Sequence, residues 1–351
     1  MNIKSFCDFF AYTSYMEEIM KNHKLAIVGA TGLVGRTALK VLEEKKLPNL
    51  EYTLFCSAKS AGTKIDFLGK EYIAQELKEN SFDKGFDFAI FSAGSETSKH
   101  FAPIAASKGC IVIDNSNAFR MDDDVPLIVP EVNFQDALIH HNIISNPNCS
   151  TIQAVVALKP LDDNFKIKRI VYSTYQAVSG AGKLGLQDLA NHNPEIPPIK
   201  FAHPIYDNCL PQIDTFLLNK YTKEEMKLVN ETRKILGHPH LPITATAVRI
   251  PVTNCHSECI NIEFEKPCSV EDATNILRQA PGIVVQDDIQ NSIYPLPCLA
   301  NGHDEVFVGR IRKDYSIKNG VNLWVVADNL RKGAATNAIQ IMEKLIEMEA
   351  D

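Results

Sequence analysis

Nowhere in the 351 residues is there an unbroken apolar run approaching the roughly 18 to 20 residues that a membrane-spanning helix needs. The first residues, "MNIKSFCDFFAYTSYMEEIM", also lack the basic start, continuous apolar stretch and small-residue cleavage site of a secretion signal. A cytoplasmic protein is therefore expected. Organised pattern begins only after Met20, with "KNHKLAIVGA", so residues 1–20 read as an N-terminal extension, either loose or a misplaced start. No cluster of Lys and Arg is present, and 36 basic against 43 acidic residues give a net charge of −7. That balance argues against a nucleic-acid surface and points to small molecules or another copy of the chain as partners. Internal repeats and low-complexity tracts are also missing, which excludes solenoids and linkers. The nine cysteines, an odd number scattered from Cys7 to Cys298, do not form the short-range framework of a disulfide-stapled secreted domain.

With 45% hydrophobic and 23% charged residues, the chain is ordinary for a globular protein of two domains. From Lys24, "KLAIVGA" reads as a buried strand, followed by a glycine turn and by "VGRTALKVLEEKKL" with helical apolar spacing. "EYTLFCSA", "FDFAIFSAG" and "CIVIDNS" are further short apolar strands, and "SETSKHFAPIAASKG" is a helix between two of them. Alternation of this kind predicts an α/β domain with a parallel sheet covered on both faces, over residues 21–148. After the helix beginning near Cys149 the strands lengthen and alternate: "IKRIVYSTYQAV", "ITATAVRIPVT", "HSECINIEFE", "VFVGRIRKDYS" and "GVNLWVVAD". A second, α+β domain with a mixed sheet is expected over residues 149–327. Residues 328–351 then form a helix returning to the first domain. The proline-dense stretch from Asn191 to Pro211 is expected to be irregular and functional or interfacial.

"GATGLVG" sets Gly29, Gly32 and Gly35 three apart between a strand and a helix, where backbone amides and a helix N-terminus can approach a pyrophosphate. A tight turn needing glycine with no ligand is the plainer alternative. At the end of the second strand an NAD site usually presents a carboxylate; here "FCSAKSAG" offers Ser57, Lys59 and Ser60 instead. A 2′-phosphate, and hence NADP, suits that chemistry better, unless Lys59 is merely a solvated lysine.

Cys149, in "NPNCST", stands between turn residues and an apolar helix, at the inferred domain junction. Peptide dipoles at a helix start favour the thiolate, so Cys149 is a candidate nucleophile, against the common fate of a buried packing thiol. "VRIPVTNCHSEC" brings Arg249 and His256 within seven residues, and a turn could return both to one site. Zinc binding by Cys255, His256 and Cys259 is disfavoured, because no second pair matches it and strand alternation points Cys255 and His256 apart. Glu224 and Lys227 share one face of a predicted helix, which by itself means no more than a solvated ion pair.

Taken together, "AIVGATGLVG", "SAKSAG", "DNSNAFRMD", "VPEVN", "NPNCST", "YSTYQAVSGAG", "EEMKLVNETRKILG", "VRIPVTNCHSE", "VGRIRKD" and "WVVADNLRKGAATNA" resemble the aspartate-semialdehyde dehydrogenase family from about Lys24 to Ile341. The resemblance implies a Rossmann-type dinucleotide domain and a catalytic and dimerisation domain. It also implies NADPH-dependent reductive dephosphorylation of 4-aspartyl phosphate, by way of a thioester, and assembly as a dimer or tetramer. Carried over by position, Cys149 is the nucleophile and His256 the acid–base group, with Gln176 and Asn148 beside the acyl group. Arg249 and Glu224 take the substrate carboxylate and ammonium, while Arg120 and Lys227 hold the phosphate. The cofactor would meet Gly29, Thr31, Gly32, Leu33, Val34, Gly35, Lys59, Ser60, Ser179, Gly180 and Asn329. N-acetyl-γ-glutamyl-phosphate reductase, a non-catalytic dinucleotide sensor and a thiol hydrolase are the competing readings. Two departures stand out: the N-terminal extension, and Lys59 where Arg is common.

Overall fold

The computed structural model describes residues 22–193 and 195–350. The extension expected at residues 1–20 lies outside them. Among the described residues, fourteen strands form two six-stranded sheets and a hairpin. In the first domain, β1 (His23–Val28), β2 (Leu50–Cys56), β5 (Gln75–Glu76), β6 (Phe88–Phe91), β7 (Ile111–Asp114) and β8 (Ile143–Ser145) lie in the order β5-β2-β1-β6-β7-β8. Every pairing in this sheet is parallel. Such strands are apolar on both sides because helices cover both faces. Leu25, Ile27 and Ile90 point to one core, completed by helix α1 (Leu33–Lys45) and the C-terminal helix, while Ala26, Val28 and Phe91 point to another, completed by α2 (Ser95–Ser107). Each fully buried Leu, Ile or Phe contributes about 1.5–3 kcal/mol. The hairpin β3 (Lys64–Phe67) and β4 (Lys70–Ile73) turns through Leu68 and Gly69, both at positive φ.

The order reverses at β1: its chain continues to β2 on one side, and β6 lies on the other. Open parallel sheets bind ligands at such a switch point, beyond the carboxyl ends of their strands. Those ends lead here into Gly29, Ser92, Asn115 and, from β8, Cys149.

Cys149 opens α3 (Cys149–Phe165), whose residues from Ser150 to Leu158 are all buried. A helix buried all round belongs inside a protein, and α3 packs against the second sheet and the turn ahead of the C-terminal helix. The second sheet is ordered β10-β9-β11-β14-β13-β12, comprising β9 (Ile167–Gln176), β10 (Ile243–Arg249), β11 (His256–Phe264), β12 (Ile283–Val285), β13 (Val306–Asp314) and β14 (Gly320–Ala327). It is mixed, with β9/β10 and β12/β13 parallel and the rest antiparallel. One face packs on α3, α5 (Lys223–Leu236) and α6 (Val270–Gln279). On the other face Tyr175, Asn261 and Trp324 stay partly accessible. A short helix α4 (Gly182–Ala190) precedes the proline-dense stretch, whose described residues contain neither helix nor strand. The last helix, α7 (Thr336–Ala350), returns to the first sheet and buries Ile339, Ile341 and Met342 against it. Among the described residues no helix is long and apolar enough to cross a membrane.

Candidate active site

Register in the second sheet assembles three polar residues at one end. Gln176 ends β9 directly beside Arg249, the last residue of β10, while His256 opens β11 on the other side of β9. The turn between Arg249 and His256 thus brings both back to one site, flanking Gln176. Cys149 arrives from the first domain, and its Sγ lies 3.1 Å from His256 Nε2. Asn148 caps α3, its Oδ1 accepting from the amides of Ser150 and Thr151 at 3.0 and 3.4 Å.

Helix α5 supplies the charged wall. It starts at a Thr222/Glu225 capping box and stops at Gly237, which is left-handed. Between these ends Glu224, Lys227 and Glu231 fall on one face. Glu224 is a hub rather than an open acceptor: Asn148 Nδ2, Gln176 Nε2 and Lys227 Nζ donate to it at 2.9, 3.0 and 3.0 Å. Although burial opposes ionisation, Lys227 and the donated hydrogen bonds hold its carboxyl down to about 2. Lys227 also meets Asp214 at 3.2 Å, so Glu224 and Lys227 form one ion-paired group on the cavity wall. Arg120 donates to Glu231, to the Asn146 carbonyl and to the Asn115 carbonyl at 3.0, 2.9 and 2.9 Å. A guanidinium has five N–H groups, so two remain for an anion. Arg249, 5% exposed, gives one bond to the Ala177 carbonyl at 2.6 Å, and its Nε has no partner. A buried unpartnered donor on a cation is costly, and a carboxylate would satisfy it.

Nine of the expected residues therefore line one cavity of about 750 Å³: Asn148, Cys149, Gln176, Gly180, Arg120, Glu224, Lys227, Arg249 and His256. Its outer wall comes from the proline-dense stretch and the segment leading on to α5, including Phe201, His203, Leu210 and Asp214. An adjoining cleft of 560 Å³ is lined by Thr31, Gly32, Leu33, Val34, Ser179, Gly180 and Asn329, and Cys149 and Asn148 belong to both. Gly29 and Gly35 shape the turn without lining it. Gly29 has φ +89, and a Cβ at Gly35 would come within 2.2 Å of the Gly29 carbonyl oxygen, so both must be glycine. The start of α1 has no side-chain cap and no acidic residue in its first turn, which leaves its amides available to a pyrophosphate. Lys59 and Ser60 sit outside the cleft, on a short 3₁₀ turn directly after β2.

The expectation that the helix start makes Cys149 a thiolate is corrected. Burial pushes its thiol up to about 12 and Glu224 adds to the rise, outweighing Arg249, Arg120 and Lys227. His256 goes the other way: burial, then Arg249, hold its imidazole down to about 3. Burial thus moves the thiol and the imidazole in opposite directions, each away from its charged form.

Several residues of this site escaped the sequence reading. Glu231 accepts from Arg120 and from the Asn148 amide at 2.6 Å; its spacing of seven from Glu224 was the available signal. Gly333 lies in a five-residue π turn ahead of α7 and approaches Cys149 so closely that a Cβ there would come within 2.9 Å of the Cys149 Cβ. π turns often mark functional sites. Lys183 reaches the Thr31 carbonyl at 3.5 Å across the cleft. Glu258, fully buried two residues past His256, has only the Ser150 hydroxyl near its carboxyl, and neither oxygen is in a well-formed hydrogen bond. Burial, reinforced by Glu224, raises its carboxyl well above the ordinary value.

Comparison with known proteins agrees with this architecture. Residues 24–140 match the family described as semialdehyde dehydrogenase, NAD binding domain, and residues 158–332 match semialdehyde dehydrogenase, dimerisation domain. The aspartate-semialdehyde dehydrogenase of Aquifex aeolicus is 55% identical over 335 residues, covering 93% of this chain and 98% of that protein. The crystal structure of aspartate semialdehyde dehydrogenase II from Vibrio cholerae superposes with a TM-score of 0.89 at 46% identity, covering 93% of this chain and 99% of that one. The aspartate semialdehyde dehydrogenase of Candida albicans, solved with NADP, superposes at 0.75 with 27% identity, covering 92% and 98%.

Proposed function

The chain belongs to the aspartate-semialdehyde dehydrogenase family and catalyses its reaction, interconverting 4-aspartyl phosphate and aspartate 4-semialdehyde in the aspartate pathway; we propose that it does so with NADPH and through a thioester on Cys149. The observation that carries this reading is the position of Cys149. Its thiol, 3.1 Å from His256, lies where a cavity lined by Arg120, Lys200, Lys227 and Arg249 meets the cleft at the glycine turn.

A carboxylate resists hydride whereas a thioester accepts it, so a soft nucleophile that also leaves readily is required. Arg249 takes the α-carboxylate through its planar fork, its unpartnered Nε being one of the donors. Glu224 takes the α-ammonium, and Gln176 and Asn148, both anchored on Glu224, hold the acyl group. Arg120 and Lys227 hold the phosphate: Arg120 with the N–H groups it keeps free, Lys227 by exchanging Asp214 for the ligand. Thr31, Gly32, Leu33 and Val34 hold the pyrophosphate, Ser179, Gly180 and Asn329 the nicotinamide half, and Lys59 with Ser60 the 2′-phosphate; the cofactor supplies the hydride. The relative from Candida albicans, solved with NADP, supports the choice of NADP as the cofactor. A homodimer in the cytoplasm fits the dimerisation-domain match and the half-open outer face of the second sheet.

Mixing the protein with aspartate semialdehyde, phosphate and NADP⁺ tests the reading. Reduced nicotinamide should accumulate only when phosphate is present, and Cys149→Ala should abolish it. Absence of a phosphate-dependent signal from the unaltered protein refutes the proposal.

A further inference from the structure

Helix α5 reaches the phosphate side of the cavity with more than Lys227. Glu224, Lys227, Glu231 and Lys234 follow at intervals of three, four and three, which is one face of a helix. The last two grip Arg120 from both ends. Lys234 Nζ donates to the Arg120, Asp122 and Val125 carbonyls at 2.9, 2.7 and 2.9 Å, and Glu231 Oε1 accepts from the Arg120 guanidinium at 3.0 Å. Carbonyls on Asn115 and Asn146, just beyond β7 and β8, take two further N–H groups of the same guanidinium. The second oxygen of Glu231 accepts from the Asn148 amide at 2.6 Å. That amide lies ahead of the hydrogen-bond ladder of α3, in the residue before Cys149, and needs a partner from elsewhere. The Asn148 side chain is held by the same helix, through Glu224 at 2.9 Å. One buried carboxylate thus ties the proposed phosphate-binding group to the turn that carries the nucleophile.

The same contact opposes anion binding. Lys227 is paired with Glu224 and Asp214, and Arg120 with Glu231, so each cation proposed to hold phosphate already faces a carboxylate. The Asp214 side chain is 34% exposed and can give way to a ligand; that of Glu231 is 2% exposed and stays. A phosphate dianion on Arg120 therefore binds with the charge of Glu231 close by, and like charges in a buried site repel. We propose that Glu231 is a positioning residue that gives up phosphate affinity for register: its charge weakens the hold of the site on phosphate, while its two oxygens fix where that phosphate lies relative to the Cys149 sulfur. The inference rests on the reading of the site given above, in which Glu231 touches neither substrate nor cofactor. In the reductive direction phosphate is a product, and a weaker hold releases it. In both directions phosphate oxygen and the acyl carbon on sulfur must meet in line, where a misplacement of about 1 Å can cost about a hundredfold in rate. A carboxamide cannot stand in for the carboxylate, because it presents one oxygen and one NH₂ group to two N–H donors.

Two variants separate charge from reach. Glu231→Asp keeps the charge but is one methylene shorter and cannot span both partners, whereas Glu231→Gln keeps the length and loses the charge. Binding of inorganic phosphate to the full-length, NADP⁺-bound protein is followed by ³¹P line width, and turnover is measured with aspartate semialdehyde at saturating phosphate. Glu231→Gln should bind phosphate about tenfold more tightly, the order expected for removing one charge several Å from an anion, while turnover falls by about ten- to a hundredfold. Glu231→Asp should lose turnover on the same scale with phosphate affinity little changed. Loss of folded protein cannot give this pattern, because it reduces the number of sites without tightening any of them. Phosphate affinity in Glu231→Gln that is unchanged or weaker overturns the role of the charge, and turnover equal to that of the unaltered protein in either variant overturns the role in register. The unaltered protein reports on the underlying reading by itself: absence of phosphate-dependent turnover there refutes that reading, whereas failure of the present inference shows only in the difference between the variants and that protein.

Discussion

Replacing Glu224 by Gln keeps the size of the side chain and removes its charge, which isolates what the carboxylate contributes. Gln stands in for the protonated acid, so the cost is set by how far folding favours the ionised form. The carboxyl moves from an ordinary 4.5 to about 2, equivalent to about 3 kcal/mol at neutral pH. Because the folded value lies below the unfolded one, this contribution is complete above about pH 4.5 and is lost as the pH falls toward 2. By pH 3.5 about 1.4 kcal/mol of it should be gone. Urea unfolding of Glu224→Gln and unaltered protein at one protein concentration, from pH 7 to 3.5, measures the difference, concentration being fixed because the assembly is linked to stability. A second readout separates thiol chemistry from substrate binding. Glu224 raises the thiol of Cys149, so alkylation of Cys149 near neutral pH should quicken in the variant while turnover falls by at least about a hundredfold through loss of the ammonium partner. A stability difference independent of pH, or alkylation that slows, refutes the assignment of Glu224 as the charge hub.

The same geometry gives three further outcomes. Lys59→Asp should lower the NADP⁺-to-NAD⁺ affinity ratio by roughly ten- to a hundredfold, the worth of one hydrogen bond to a charged group, as read by fluorescence titration of both nucleotides; an unchanged ratio removes Lys59 from the cofactor site. Gly333→Ala drives a methyl to 2.9 Å from the Cys149 Cβ, so turnover should fall by about a hundredfold while folding loses only about 1–3 kcal/mol, and retained turnover would show that Cys149 can move aside. Glu258→Gln should stabilise the fold at pH 7 to 8: the raised carboxyl makes the unaltered protein lose stability above pH 4.5 at up to about 1.4 kcal/mol per pH step, so the advantage should vanish below that pH, and an advantage that persists there contradicts a neutral acid at this position.

The elements that sequence revealed were those whose pattern is local. "KLAIVGA" and its glycine turn, the helix carrying Glu224 and Lys227 and the alternating strands of the second domain each carry their signal within a dozen residues, and each appears where it was expected. The hairpin β3 and β4 went unseen because four-residue strands are too short for a period to register, despite the Leu68-Gly69 turn. Strands β8 and β12, of three residues each, escaped for the same reason. For the site, sequence could name Cys149, His256 and Arg249 but not the order in space that sets Gln176 between the last two. Ionisation was the least legible property. The helix start argued for a thiolate; burial and Glu224, the latter 75 residues further on, reverse the sign.

The charges around that thiol act on it in both directions. Arg120 is matched by Glu231, and Lys227 by Glu224 and Asp214, so only Arg249 among the deep cations has no carboxylate at ion-pair distance among the described residues. In the proposed scheme the α-carboxylate neutralises Arg249 and the α-ammonium meets Glu224, but the acyl phosphate brings two negative charges with it. The substrate's two ends therefore work on the thiol in opposite directions: pairing of the α-carboxylate with Arg249 masks a cation that lowers it, and pairing of the α-ammonium with Glu224 masks an anion that raises it.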